Sequence, residues 1–335
     1  MEIKHIHALL DNRSLPGNYI NTGLKETHIS WIILTDDFAY KIKRPVRYSF
    51  ADFSSPEKRK YFCYKELELN RRLAPDMYLD VLPVTNKMTG AIQENEREKV
   101  IDHAIQMKRM DNNREMDKLL EKDKVTKKHI DSLARKISDF HKKARVIVAP
   151  FNIENLKEDY SDIKSVGSYV KEMAGGDTEK KIANCIEKSS TFLNDNKDLI
   201  NERVKNDSRK DCHGDLNAYN IFLYDDPVIF DCIEFNDDFR HIDILNEIAF
   251  LCVDLDFFER DDLGELFCDK YFKYSGAEDN RDTKKLLNYF KSYRANIRAK
   301  VTIMSAEKSG ADINSQKLID AQKYVDLMTK YSESI

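Results

Sequence analysis

The stretch Cys212 to Asn236, CHGDLNAYNIFLYDDPVIFDCIEFN, decides how the rest of the chain is read. His213, Asp215 and Asn220 stand in the spacing H-x-D-x-x-x-x-N, followed at once by the apolar run Ile221-Phe222-Leu223-Tyr224. Asp225-Asp226-Pro227 supplies turn chemistry before Val228-Ile229-Phe230, so composition and length predict a β-hairpin ending at Asp231. Such a hairpin turns the chain back and brings Asp231 toward the loop that carries Asp215 and Asn220. Mg²⁺ is a hard cation that takes oxygen ligands, so an Asn amide oxygen, one carboxylate and phosphate oxygens suffice for it. Asn220 and Asp231 are therefore the expected metal ligands, and Asp215 beside His213 is left for the proton. The competing reading is an ordinary hairpin whose Asp and Asn residues cap and turn. It requires both spacing and order to be accidental.

The same spacing serves the catalytic loop of protein kinases, and that chemistry asks for two more residues upstream. One is a lysine on a strand, gripping nucleotide phosphates. Thr27–Leu34 and Phe38–Lys43 read as two strands joined by the turn Thr35-Asp36-Asp37, and Phe-Ala-Tyr-Lys puts Lys41 in that place. Lys43, on the same strand face, is the alternative. The other is a glutamate on the next helix. Ser55 to Leu73 predicts a helix with Ser55 as N-cap and Pro75 beyond its end, offering Glu66, with Glu68 as alternative. Tyr78–Thr85 and His103–Met110 read as further strands. The second runs into Asp111-Asn112-Asn113, read as a hinge between lobes, so that backbone groups of Met107, Lys108 and Arg109 hold an adenine edge.

Elsewhere the pattern is helical. Residues 2–11 carry Ile3, Ile6, Leu9 and Leu10 at helical spacing, with Ser14-Leu15-Pro16-Gly17 as the stop. From Met116 onward the period is again that of helices, with Ile130, Leu133 and Ile137 in one stripe. Residues 160–205 predict two helices broken at Gly175-Gly176. Ile248–Val253 reads as a buried helix beneath the catalytic loop, with Asp243 bonding the loop backbone and Arg240 pairing with Asp243. Near the C-terminus Arg294 and Arg298 stand four apart on one helix face, with Lys300 close by.

Composition bounds the class. The 335 residues are 41% hydrophobic and 34% charged, a globular profile long enough for two lobes. A net charge of −4, with 55 basic and 59 acidic residues interspersed, argues against nucleic acid or membrane as partner. No run approaches a transmembrane helix and the N-terminus lacks a signal-peptide core, so a cytoplasmic location is expected. Six cysteines without a C-x-x-C spacing read as buried free thiols. The absence of G-x-x-x-x-G-K-[ST] excludes a P-loop NTPase.

HGDLNAYNI, VIFDCIEFN with RHIDILNEIAFL, THISWIILTDDFAYKIKRP and YRANIRAKV together resemble the aminoglycoside phosphotransferase-like branch of the protein-kinase-like superfamily. Within it they are most similar to an uncharacterised bacterial family, over roughly residues 26–305. The resemblance implies an α+β two-lobed protein-kinase-like fold. Its small, mainly antiparallel β lobe spans residues 1–110 and binds nucleotide. Its larger, mainly helical lobe spans residues 111–335 and carries catalysis and substrate. It further implies ATP (or GTP) and Mg²⁺ between the lobes, Asp215 as base, Asn220 and Asp231 as metal ligands, and Lys41 on the phosphates. Members are often joined to a P-loop ATP-binding domain, so a separate P-loop protein is a possible partner. Two positions depart from the family pattern: Asn217 stands where His is usual, and Glu247 where Asp is usual.

The expected reaction is transfer of the γ-phosphoryl group to a hydroxyl of a small molecule. Asn217, Glu234, Arg294 and Arg298 are the candidates to face that acceptor; Arg294, Arg298 and Lys300 either favour a small anionic metabolite over a polycationic antibiotic or serve as salt-bridged packing. A protein-directed Ser/Thr kinase is a rival, against which stands the lack of an A-P-E-like segment after Asp231. A nucleotide-binding pseudokinase acting as an interaction module is another, opposed by the intact Asp215, Asn220 and Asp231.

Overall fold

Strand residues alternate between faces, and the third strand shows what that alternation builds. Tyr40 and Ile42 point into one apolar cluster, with Trp31, Ile33, Val84 and Ala104. Ala39, Lys41 and Lys43 therefore point to the other face, where Ala39 joins Cys63, Leu67, Tyr78 and Ile105. The structure, a computed structural model, describes residues 1–11, 14–16, 19–85, 100–312 and 315–335. Gly17, part of the expected stop of the first helix, lies outside them.

In chain order the elements begin with α1 (Ile3–Asp11), β1 (Gly23–Glu26), β2 (Ser30–Leu34), β3 (Phe38–Lys43), α2 (Pro56–Asn70), β4 (Tyr78–Thr85) and β5 (Val100–Lys108). Helices α3 (Met116–Glu121), α4 (Lys127–Lys143), α5 (Ile153–Ser161), α6 (Gly167–Asp195) and α7 (Lys197–Lys205) follow. Then come β6 (Arg209–Asp211), the hairpin β7 (Ile221–Phe222) and β8 (Val228–Ile229), β9 (His241–Asp243), and α8 (Ile244–Phe257), α9 (Asp261–Ser275), α10 (Arg281–Lys308) and α11 (Gln316–Ser332).

The chain divides into two compact units, Met1–Met116 with Asn220–Phe239, and Asp117–Tyr219 with Arg240–Ile335. The first unit holds a five-stranded antiparallel sheet in the order β1-β2-β3-β5-β4. Ile6 and Leu9 of α1 cover one face. On the other, α2 presents Cys63, Glu66, Leu67 and Asn70, a buried stripe at i, i+3, i+4 and i+7. Ser55 caps this helix through its side chain to the Lys58 N–H, as its position before Pro56 predicts. The central hairpin joins this unit because Phe222 packs with Met77, Tyr78 and Met107. That placement departs from the expected division, which put everything after residue 110 in the helical lobe. The polar break Asp111–Asn113 leads into a 3₁₀ turn, Asn112–Arg114, capped by Asp111 and tied to the hairpin through the Leu223 N–H to Arg114 carbonyl bond, 2.8 Å.

In the second unit every residue of α8 is buried, as its apolar run predicts. The expected break at Gly175-Gly176 is absent: α6 runs unbroken from Gly167 to Asp195, and the next helix starts at Lys197. Each glycine costs a helix only about 1 kcal/mol, less than the flanking turns gain by burying Ile182, Cys185, Phe192 and Leu193. Among the described residues no helix is long and apolar enough to cross a membrane.

Candidate active site

The hairpin ends in Asp231, whose φ of 62° lies in the left-handed region that few residues other than Gly, Asn and Asp enter. Two bonds hold that conformation. The Asp231 N–H donates to Tyr78 Oη at 3.2 Å, and the Cys232 N–H donates to Asn70 Oδ1 at 2.9 Å. Asn70 is fixed in turn by donating to the Glu66 carbonyl at 2.9 Å. A residue kept at a costly φ by surrounding structure is a frequent mark of a functional position.

Around Asp231 the first unit assembles a chain of five charged groups. Lys41 Nζ donates to Asp231 Oδ1 at 2.6 Å and to Glu66 Oε1 at 2.7 Å. Lys43 Nζ donates to Glu66 Oε2 at 2.6 Å and to Glu234 Oε1. The choice between Lys41 and Lys43 thus resolves into both, since residues two apart on a strand share a face. Glu66 is the shared partner because it sits on the buried stripe of α2, whereas Glu68 is exposed. Burial works against the Lys41 ammonium, but Asp231 and Glu66 outweigh it and hold its pKa well above the usual value. Burial likewise opposes the Lys43 charge, and Glu234 and Glu66 raise it in spite of that. The Glu234 carboxyl is pushed up by its own burial, which Lys43 only partly offsets.

The cluster sets three carboxylates against two ammonium groups, and the carboxylates differ in exposure. The Glu66 and Glu234 side chains are 0% and 3% exposed, while the Asp231 side chain is 45% exposed. An accessible Asp231 carboxylate and the Asn220 amide would offer oxygen donors alone, the type of ligand Mg²⁺ takes. The hairpin keeps them neighbours, with the Phe230 N–H donating to the Asn220 carbonyl at 3.0 Å.

The second unit shapes the loop that carries Asp215. Strand β6 before the loop pairs with β9 after it, and the Cys212 N–H donates to the Arg240 carbonyl at 2.8 Å. Glu247 of α8 takes the His213 and Gly214 N–H groups at 2.7 and 3.0 Å, and Asp254, two turns further along the same face, takes the Ala218 N–H at 2.9 Å. Gly214 turns at φ 86°, a conformation suited to glycine. His213 is buried, and its Nδ1 accepts the Asp215 N–H at 3.3 Å, so it shapes the loop from inside. Asp215 itself is partly exposed.

Several expectations move. Asp243 does not hold the loop backbone; it caps α8 through the Leu245 N–H and takes Arg203 in two bonds of 2.6 and 2.7 Å. Arg240 pairs with Asp211 at 2.6 Å rather than with Asp243. Glu247 and Asp254 escape the motif reading as loop anchors, although their i, i+7 spacing on a largely apolar, wholly buried helix marks two carboxylates that need buried donors. Tyr78 and Asn70 carried no motif.

The candidates for acceptor contact are engaged internally. Asn217 is buried, takes the Tyr219 N–H at 2.9 Å and donates to the Asp215 carbonyl at 3.3 Å. Glu234 is the Lys43 counter-ion. Arg294 is buried over the Phe250 ring and donates to the Asn246 carbonyl at 3.2 Å. Arg298 lies over Tyr219 and meets Asp254 at 3.4 Å, and Lys300 pairs with Asp162. The argument for an anionic acceptor therefore loses its basic side chains. At the strand end, Met107 is buried in the sheet, and the Lys108 and Arg109 N–H groups are committed to the Met77 and Asp37 carbonyls, both at 2.8 Å. Those two amides are not donors for adenine.

Comparison with known proteins agrees with this architecture. No family model matches the chain. An uncharacterized protein of Mycobacterium tuberculosis is 29% identical over 283 residues, covering 83% of this chain and 54% of that protein, and one of Mycobacterium bovis matches equally. The chain thus spans about half the length of these relatives. Among solved structures, a choline kinase from Cryptosporidium parvum superposes with a TM-score of 0.59 at 12% identity, covering 97% of this chain and 95% of that one. The GDP complex of aminoglycoside 2'-phosphotransferase-IIIa gives 0.54 at 13%, covering 97% and 98%. A choline/ethanolamine kinase family protein from Mesorhizobium loti gives 0.52 at 11%, covering 98% and 95%. The five-stranded antiparallel sheet and the mostly helical remainder are the protein-kinase-like fold that these small-molecule kinases share.

Proposed function

We propose that this chain is a Mg²⁺-dependent phosphotransferase that moves the γ-phosphoryl group of ATP to a hydroxyl of a small molecule. The observation that carries the reading is the run Glu66–Lys41–Asp231, joined at 2.7 and 2.6 Å and ending in an accessible aspartate. In this reading the first unit is the nucleotide-binding lobe. Lys41, oriented by Glu66, exchanges Asp231 for nucleotide phosphate oxygens, and Asn220 with Asp231 holds Mg²⁺. The metal, when bound, neutralises charge on the phosphates. The second unit supplies Asp215, which accepts or orients the hydroxyl proton from a loop whose amides are pinned by Glu247 and Asp254. His213 supports Asp215 and does not touch substrate. Any adenine contact by the 107–109 segment falls to carbonyl oxygens, given the committed amides.

The neighbour solved with GDP makes GTP the second donor to test. A separate P-loop partner remains an expectation of the resemblance alone. The experiment is transfer of labelled γ-phosphate from ATP or GTP to members of a hydroxyl-bearing metabolite library, with Asp215→Asn as control. Labelled product with the native chain and none with the variant supports the reading; equal labelling by both contradicts it.

A further inference from the structure

The Lys41–Glu66 pair does not by itself require Lys43 or Glu234, yet the fold buries both completely beside it. Lys43 Nζ lies 4.9 Å from the centre of the Phe53 ring and is closed off from solvent, so it does not reach a nucleotide. Its two partners are Glu66, 2.6 Å away, and Glu234. Glu234 follows Asp231 by three residues, so the segment from 231 to 234 is gripped by a lysine at each end, and both lysines hang on one glutamate.

That arrangement bears on what happens when Lys41 changes partner. In the present structure Lys41 binds Asp231 directly. Lys41 holds Asp231 through Oδ1, so a cation that takes that oxygen must displace Lys41. The tie between Lys41 and the 231–234 segment is then gone, whereas the Lys43–Glu234 tie at the far end is untouched. Glu66, losing part of its hold if Lys41 is drawn outward, keeps Lys43 on its other oxygen. We propose that Lys43 and Glu234 form a positioning pair that keeps Asp231 and Glu66 in place through that exchange. The pair rests on the phosphotransferase reading and acts through Asp231 rather than on substrate.

The test is ATP affinity measured by calorimetry across a MgCl₂ titration, with thermal unfolding alongside. The double variant Lys43→Met/Glu234→Gln removes one positive and one negative charge and leaves the cluster's net charge unchanged. Replacing a buried ion pair by groups of similar volume is often neutral for folding. Removing groups that orient a metal ligand typically costs 10–100-fold in metal affinity, so the Mg²⁺ needed for half-maximal ATP binding is expected to rise roughly tenfold or more. Glu234→Asp keeps the charge and shortens the reach, so it provides a second reading should the double variant unfold; a rise of about threefold or more is expected there. A folded variant of either kind with native Mg²⁺ dependence overturns the pair alone. A native chain that binds no ATP at any Mg²⁺ concentration overturns the phosphotransferase reading and the pair together.

Discussion

Replacing Glu66 with Gln isolates the centre of the charged chain. Glu66 is 0% exposed and takes two ammonium groups, Lys41 at 2.7 Å and Lys43 at 2.6 Å. Gln keeps one oxygen and places an NH₂ where the second oxygen stood, so one lysine loses its acceptor and faces a donor. Removing one member of a buried ion pair costs about 3–5 kcal/mol because it strands the remaining charge. Asp231 and Glu234 each still hold one lysine, which places the expected loss near the lower bound, about 3 kcal/mol. At roughly 2–4 °C per kcal/mol the unfolding midpoint should drop by about 10 °C. ATP binding should weaken at the same time, since Lys41 is no longer oriented. Urea and thermal melts followed by circular dichroism give the first number and calorimetry the second. Glu68→Gln, on the exposed face of the same helix, is the control and should stay within about 0.5 kcal/mol of the native chain. A Glu66→Gln protein as stable as that control would refute the claim that Glu66 is a buried counter-ion for both lysines.

Other outcomes follow from the same contacts. Glu247→Gln leaves either the His213 or the Gly214 N–H without its carboxylate oxygen, so stability should fall by about 1–3 kcal/mol in a urea melt, with turnover reduced as the loop loosens. Arg298→Gln strands Asp254, a carboxyl already raised by burial against the pull of Arg298, so stability should fall by about 3 kcal/mol while ATP affinity stays within about twofold. A pH series of urea melts should show native stability declining as pH rises past the ordinary lysine value of 10.5, because the folded Lys41 and Lys43 keep protons that the unfolded chain releases. Each such proton contributes a slope of about 1.4 kcal/mol per pH unit. Lys43→Met/Glu234→Gln should decline less steeply by about one such proton; an equal slope would show that Lys43 holds no extra proton on folding.

Much of the site was legible because its parts lie on periodic elements. The strand period puts Lys41 and Lys43 on one face and the helical period puts Glu66 among Cys63, Leu67 and Asn70, whereas Glu68 falls outside that stripe. The order of strand lysine, helix glutamate, H-x-D-x-x-x-x-N and hairpin aspartate then suggests one chemistry. What periodicity does not encode is the partner of a buried charge across a long sequence separation. Proximity in sequence points Arg240 to Asp243, three residues away, but it meets Asp211. Helical spacing makes the face of Arg298 readable but not its partner, Asp254, more than forty residues earlier. Gly175-Gly176 shows the opposite limit, since local propensity is weak beside the burial gained by a long helix. Asn217 and Glu234 are legible as residues of the 212–236 segment, but their burial and bonding to the loop amide and to Lys43 are tertiary facts.

The most direct test of the central claim is Mg²⁺-dependent turnover of ATP by the purified chain compared with Asp231→Ala. The Asp231 side chain is partly exposed and pairs with Lys41 at 2.6 Å; Ala removes that pair and places a residue without a polar side chain at φ 62°, together a cost of about 1–2 kcal/mol. The variant is expected to fold, to melt within a few degrees of the native chain, and to lose Mg²⁺-dependent turnover by more than about 100-fold. A folded Asp231→Ala protein that turns over ATP at the native rate would contradict the account.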